Sequence, residues 1–162
     1  MDESATISDS DLLAILEAAR WAPSAMNEQP WRFFIGRRGD EIFKKIQAPM
    51  TERNQAWTSR ASVLILCAGV KDKTSHQYDV GLAVSQMVFE ALNRGYATHH
   101  LTGFDFEAMS KEFGLNDLLP VSIMALGKQG DVEVMPEPAQ KIEMTFSVRK
   151  PLNEIVLKGL PN

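Results

Sequence analysis

AARWAPSAMNEQPWRFF, residues 18–34, joins an apolar-faced segment to a run of aromatics. Ahead of it, Leu12, Leu13, Ile15, Leu16 and Ala19 recur on one face at helical spacing. Ser8 followed by Asp11 matches a capping box, in which the hydroxyl covers an orphan amide and the acid complements the helix dipole. The helix should therefore start near Ser8. Pro23 ends it, because the residue before a proline is pushed out of the helical region. WRFFIGR (31–37) then reads as a strand. Between them lies a polar connection of Pro, Ser, Ala, Asn and Gln bracketed by Trp21 and Trp31. It either links helix to strand and nothing more, or is a rigid loop whose amides face a ligand.

Further elements follow outward from this stretch. GDEIFKKIQ (39–47) reads as a short helix and ERNQAWTSR (52–60) as another helical turn or two. SVLILCAGV (62–70) is continuously apolar, as expected of a strand covered on both faces. The stretch from Tyr78 to Asn93 is helical in pattern and nearly uncharged. Such a helix is buried deeply or buried against a second subunit, and Gly95 would cap its C-terminus. YATHHL (96–101) resembles a short strand, TGF (102–104) a turn, and DFEAMSKEFG (105–114) a helix capped by Asp105. PVSIMALGK (120–128) is the last core strand, followed by the polar GDVEVMPEPAQ (130–140) and a tail ending RKPLNEIVLKGLPN (149–162). This order favours an α+β or α/β sandwich around one main sheet, with 1–162 a single domain.

Composition narrows the function classes. The 162 residues are 44% apolar and 23% charged, enough for one domain with a real core. A net charge of −4, with no stripe of Lys and Arg, argues against nucleic acid and anionic membranes as partners. The single cysteine, Cys67, excludes an internal disulfide framework and suits a reducing cytoplasm. No apolar run reaches spanning length, and the acidic MDESATISDSD (1–11) does not read as a signal peptide.

Much chemistry is missing. There is no G-x-G-x-x-G after a strand and no Walker-type loop. His99 and His100 would point to opposite faces of a strand, one packed and one near the surface, which is poor geometry for a metal. Cys67, inside an apolar run, reads as a small core residue. An enzyme built this way has no side chain for nucleophilic work, so a cofactor would have to supply the reactivity.

Pro23, Ser24, Asn27, Gln29, Pro30 and Trp31, set behind a capped helix, resemble the A-P-S-x-x-N-x-Q-P-W segment of the nitroreductase family of FMN enzymes. Asn54, in ERNQAWTSRASVLIL (52–66), occupies the place of a family asparagine that hydrogen-bonds the flavin. LTGFD (101–105) resembles the family turn whose amides approach flavin N5, and SVRKPLNEIV (147–156) the C-terminal segment whose arginine reaches the phosphate. The resemblance runs from Asp9 to about Val156. It implies a nitroreductase-like α+β sandwich, a mostly antiparallel central sheet flanked by helices and completed by dimerisation. Residues 145–162 would cross to the partner. The implied activity is hydride transfer from NADH or NADPH, through FMN, to a nitroaromatic, quinone or enone.

The implied flavin site is Pro23, Ser24, Ala25, Asn27, Asn54, Trp57, Thr102, Gly103, Arg149 and Lys150, with Thr102 and Gly103 beside N5. The residue types suit these roles. Asparagine amides both donate and accept, as the mixed edge of an isoalloxazine requires. Gly103 would let backbone approach a flat ring, and Arg149 offers a planar fork for phosphate, with Lys150 beside it. Each also has a plainer reading: Asn27 capping a turn, Asn54 starting a helix, Gly103 turning the chain, Arg149 in a surface ion pair.

Two departures from the family pattern stand out. Members usually begin with an Arg-x-Ser arm that holds the phosphate, whereas nothing before Arg20 is basic here. Arg149 and Lys150 would carry that load, and a truncated or alternatively started chain is the expected explanation. Trp57 stands where some members place a lysine near flavin N1 and O2. These departures leave open a flavin-binding or purely structural homodimer without turnover.

Overall fold

The computed structural model describes residues 1–73, 75–135 and 137–159. Residues Met1–Gly130 form one compact unit, and a second begins at Asp131. The first contains α1 (Asp9–Arg20), β1 (Trp31–Arg37), α2 (Glu41–Gln47), α3 (Glu52–Thr58), β2 (Val63–Val70), α4 (His76–Asn93), β3 (Ala97–Leu101), α5 (Phe106–Phe113) and β4 (Leu118–Gly127). The second holds two short helices, α6 (Glu137–Glu143) and α7 (Leu152–Ile155).

All pairings in the four-stranded sheet are antiparallel, in the order β1-β2-β4-β3. The expected α+β sandwich with an antiparallel sheet is what forms. β2 lies inside it with Val63–Gly69 wholly buried, as its unbroken apolar run requires. Its alternate side chains feed two cores. Val63, Ile65 and Cys67 pack with Ile15 and Ala19 of α1 and with Val80, Ala83 and Met87 of α4. Leu64 and Leu66 pack on the other face with Phe43, Ile46, Phe104 and Met109. The sheet thus separates an α1–α4 layer from an α2–α5 layer.

Capping follows the sequence closely. Ser8 Oγ accepts the Asp11 amide, Asp40 accepts that of Phe43, and Asp105 accepts those of Glu107 and Ala108. Gly95, in the left-handed region at φ 71°, closes α4. β4 begins two residues earlier than its sequence pattern. Pro120 falls at a register shift, where β4 pairs with β2 alone because β3 reaches only to Ile123. There its missing N–H costs no ladder bond.

One expectation is corrected. His99 and His100 are both exposed, instead of one being packed. They lie on the outermost strand, where, among the described residues, only the Trp57 ring meets His99. No helix among the described residues is long and apolar enough to cross a membrane.

α4 buries one face on the sheet and leaves a second apolar stripe open. Tyr78, Gly81, Ser85, Phe89 and Leu92 recur at three- and four-residue spacing along it, with Phe89 67% exposed. Its C-terminal end is tied to α1 through Asp11, whose carboxylate accepts from Tyr96 Oη and Arg94 Nη1, both at 2.7 Å. The tyrosine hydroxyl first, then Arg94 and Ser8, lower the Asp11 pKa from 3.8 to about 2. Its folded pKa is depressed, so its stabilisation is present above 3.8 and is lost as pH falls towards about 2. Asp11→Asn should therefore lower the melting temperature at neutral pH. The gap to wild type should close over that acid window in thermal melts.

Candidate functional site

The connection behind α1 is a rigid loop. Ser24, in extended backbone, accepts the Gln29 amide on Oγ at 2.9 Å and the Asn27 amide on its carbonyl at 3.1 Å, while Ala25 O accepts from Glu28 at 3.0 Å. These bonds hold a backbone that side chains rarely adopt: Met26, Asn27 and Gln29 have φ of 52°, 55° and 48°. Left-handed conformations at non-glycine residues are unfavourable and persist only where the surroundings impose them. The turn presents Pro23, Ala25 and Asn27 to solvent, with the Met26 side chain 93% exposed. Three further ties reach outside the loop: Ala25 N–H donates to Asp79 Oδ2 at 3.3 Å, Lys73 Nζ pairs with Glu28 at 2.8 Å, and Arg32 Nη1 donates to Gln29 O at 3.0 Å.

A second cluster forms on the other side of the sheet. Gly103 O accepts from Asn54 Nδ2 and from the Thr51 amide, each at 3.0 Å. Asp105 N–H donates to Pro49 O at 2.8 Å, and Met50 bridges to Phe104. The turn of residues 102–105 is thereby fastened to the α2–α3 connection. A Cβ on Gly103 would stand 2.5 Å from Asn54 Nδ2. The bare face of this glycine admits the Asn54 amide. Trp57, one turn along α3, is half-buried and meets His99 edge-on, with ring centroids 4.7 Å apart. Thr102 is exposed.

Arg149 and Lys150 lie in the second unit, both exposed, with Arg149 donating to Ser147 Oγ at 2.5 Å. The proposed site residues thus fall into three groups. Among the described residues, no hydrogen bond, ion pair or ring contact joins the loop cluster to the Asn54–Gly103 cluster. Apart from the partly exposed Lys73–Glu28 pair and the Ser24 hydroxyl, which tie the loop together, neither cluster holds an acid–base pair or a nucleophile among the described residues. Burial pushes the Cys67 thiol up to about 12, so it is inert. No group of three or more His, Cys, Asp or Glu among the described residues could hold a metal ion. The donor set consists of amides, backbone groups and an indole, which suits binding a polar planar molecule more than bond-breaking by the protein itself.

Asp79 is a residue the sequence reading missed. An acid opening a nearly uncharged helix was its only signal, and its bond to a loop 54 residues away has no local signature.

If Gly103 serves Asn54, Gly103→Ala should displace that amide and lower stability by about 0.5–1.5 kcal/mol, the value of one hydrogen bond. Asn54→Ala should then cost less in the Gly103→Ala background than in wild type. Urea unfolding of the four proteins reads the difference.

Comparison with known proteins bears on the family and the fold. The Nitroreductase family model matches residues 2–56 and 36–128. An uncharacterized 15.4 kDa protein of Mycolicibacterium smegmatis is 32% identical over 142 residues, covering 79% of this chain and 95% of its own. YdgI of Bacillus subtilis (strain 168), provisionally named an NAD(P)H nitroreductase, is 27% identical over 174 residues, covering 80% and 82%. A solved structure described as an oxidoreductase containing FMN superposes with a TM-score of 0.91 at 26% identity, over 98% of this chain and 85% of that one. With the family model spanning most of the first unit and a relative matched over nearly its whole length, the chain belongs to the nitroreductase family.

Proposed function

We propose that the protein is an NAD(P)H-dependent flavin oxidoreductase that uses FMN and works as a homodimer. The observation that carries this reading is the strained loop of residues 24–29, fastened to α4, whose outer apolar stripe is uncovered in the single chain. A second copy docked on that stripe lies beside the loop. Gly81 supports the docking. A mid-helix glycine costs about 0.5–1 kcal/mol relative to alanine, and among the described residues nothing beyond its own helix backbone lies within 4 Å of where its Cβ would be. Its use is to let another backbone approach.

The residues fit the cofactor. The exposed Asn27 amide can donate and accept at the ring edge. Asn54 directs one N–H to Gly103 O, and its carbonyl oxygen and second N–H complete a mixed donor–acceptor edge. Pro23, Ser24 and Ala25 form the wall next to Asn27. Thr102 and Gly103 would supply backbone groups to the ring, and Trp57 would wall the ring or the acceptor pocket. Arg149 and Lys150 hold the phosphate, and the segment from residue 145 crosses to the second subunit. Bound there, FMN supplies hydride transfer from NADH or NADPH to an electron-poor acceptor such as a nitroaromatic, quinone or enone. The protein's own work is to orient both partners against the ring.

The purified protein should be yellow, or become so with FMN, and its flavin bands should bleach when NADH or NADPH is added without oxygen. Flavin bound without bleaching would favour a binding protein that does not turn over. No bound flavin at all would overturn the proposal.

Phe89→Asp places a charge on the α4 stripe. It should convert the dimer to monomer in size-exclusion chromatography with light scattering, and flavin retention should fall with it.

A further inference from the structure

Among the described residues, Asp79 is the only charged side chain that the fold buries almost completely, at 1% exposure. Removing a carboxylate from water is among the costliest placements in a protein unless hydrogen bonds or an ion pair compensate it. Within the described residues no lysine, arginine or histidine pairs with Asp79. Its Oδ2 accepts from Ser75 Oγ at 2.7 Å and from Ala25 N–H at 3.3 Å, in the first turn of α4 where the helix favours negative charge. The N-cap position of α4 belongs to Ser75, so capping does not account for a carboxylate at 79. The carboxylate also reaches the loop.

Ala25 begins the short helical turn Ala25–Asn27, immediately before the left-handed residues. The other ties on this loop do not join it to buried scaffold. The bonds to Ser24 are internal to it, the Glu28–Lys73 pair is partly open to solvent, where ion pairs contribute little, and the Arg32 bond to Gln29 O is exposed. Asp79 is the buried connection between the strained turn and the scaffold.

We propose that Asp79 is a positioning residue for the flavin: by holding the Ala25 amide it keeps the 24–29 loop in its binding conformation before the ligand arrives. The inference rests on the flavin reading of that loop. Without this bond the left-handed residues relax, and binding must then restore the strained backbone, which weakens affinity.

Ala25→Pro tests the bond from the other side. It deletes the N–H while leaving Asp79 in place. Ser24, at φ −144° and ψ 157°, already has the extended backbone a following proline requires, and proline fits the first position of a helical turn. Two readouts are taken on wild type, Asp79→Ala, Asp79→Asn, Ala25→Pro and the Asp79→Ala/Ala25→Pro double variant. One is hydrogen exchange at the Asn27, Glu28 and Gln29 amides in flavin-free protein. The other is the FMN dissociation constant from quenching of flavin fluorescence.

Asp79→Ala and Ala25→Pro should each speed exchange at these amides and weaken FMN binding about tenfold, the loss of one hydrogen bond to a charged acceptor. Asp79→Asn, which keeps an acceptor oxygen, should stay within about threefold of wild type. The double variant should be no weaker than either single change. The proposal is overturned if Asp79→Ala weakens binding as much in the Ala25→Pro background as in wild type. Unchanged exchange and affinity in Ala25→Pro overturn it too, and that variant decides the matter if Asp79→Ala does not fold. A wild-type protein that binds no FMN would sink the flavin reading instead, and exchange at the loop amides would still decide whether Asp79 holds it.

Discussion

The burial of β2 on both faces is the constraint to which the rest of this molecule answers. A strand with no polar side chain from Val63 to Gly69 requires a helical layer above it and another below. Its alternation assigns Val63, Ile65 and Cys67 to α1 and α4, and Leu64 and Leu66 to α2 and α5. Each layer then carries one polar connection at its margin: the 24–29 loop with the first, the Asn54–Gly103 junction with the second. The two candidate clusters therefore lie on opposite sides of the sheet.

Much of this was legible in local chemistry. Ser8, Asp105 and Gly95 mark helix ends through bonds within a few residues, and such bonds leave short motifs. The sheet strands were recognisable from their apolar runs. The bulge near Pro120 was not, because a proline reads as the beginning of a strand until its neighbours in the sheet are known. His99 and His100 were misjudged for a related reason: alternation sends them to opposite faces but buries a side chain only where that face is covered, and β3 is at the edge.

The candidate site was legible as residue types and not as geometry. Asn27, Asn54 and Gly103 stood out, yet nothing in the string shows that Asn54 fills the space a glycine leaves at 103. Left-handed backbone at Met26 and Gln29 is equally silent, since neither residue type announces it. It depends on bonds such as that from Ala25 to Asp79, whose partners are remote in sequence. Local rules fail at this loop, which is where a binding function would put strain.

Cys67 gives the fold one more property. Its thiol is sealed in the middle strand and kept protonated well beyond neutrality. An alkylating reagent reaches the sulfur only when the sheet itself opens. The chain therefore carries an internal clock for global unfolding, readable as a labelling rate and blind to motions of the surface loops.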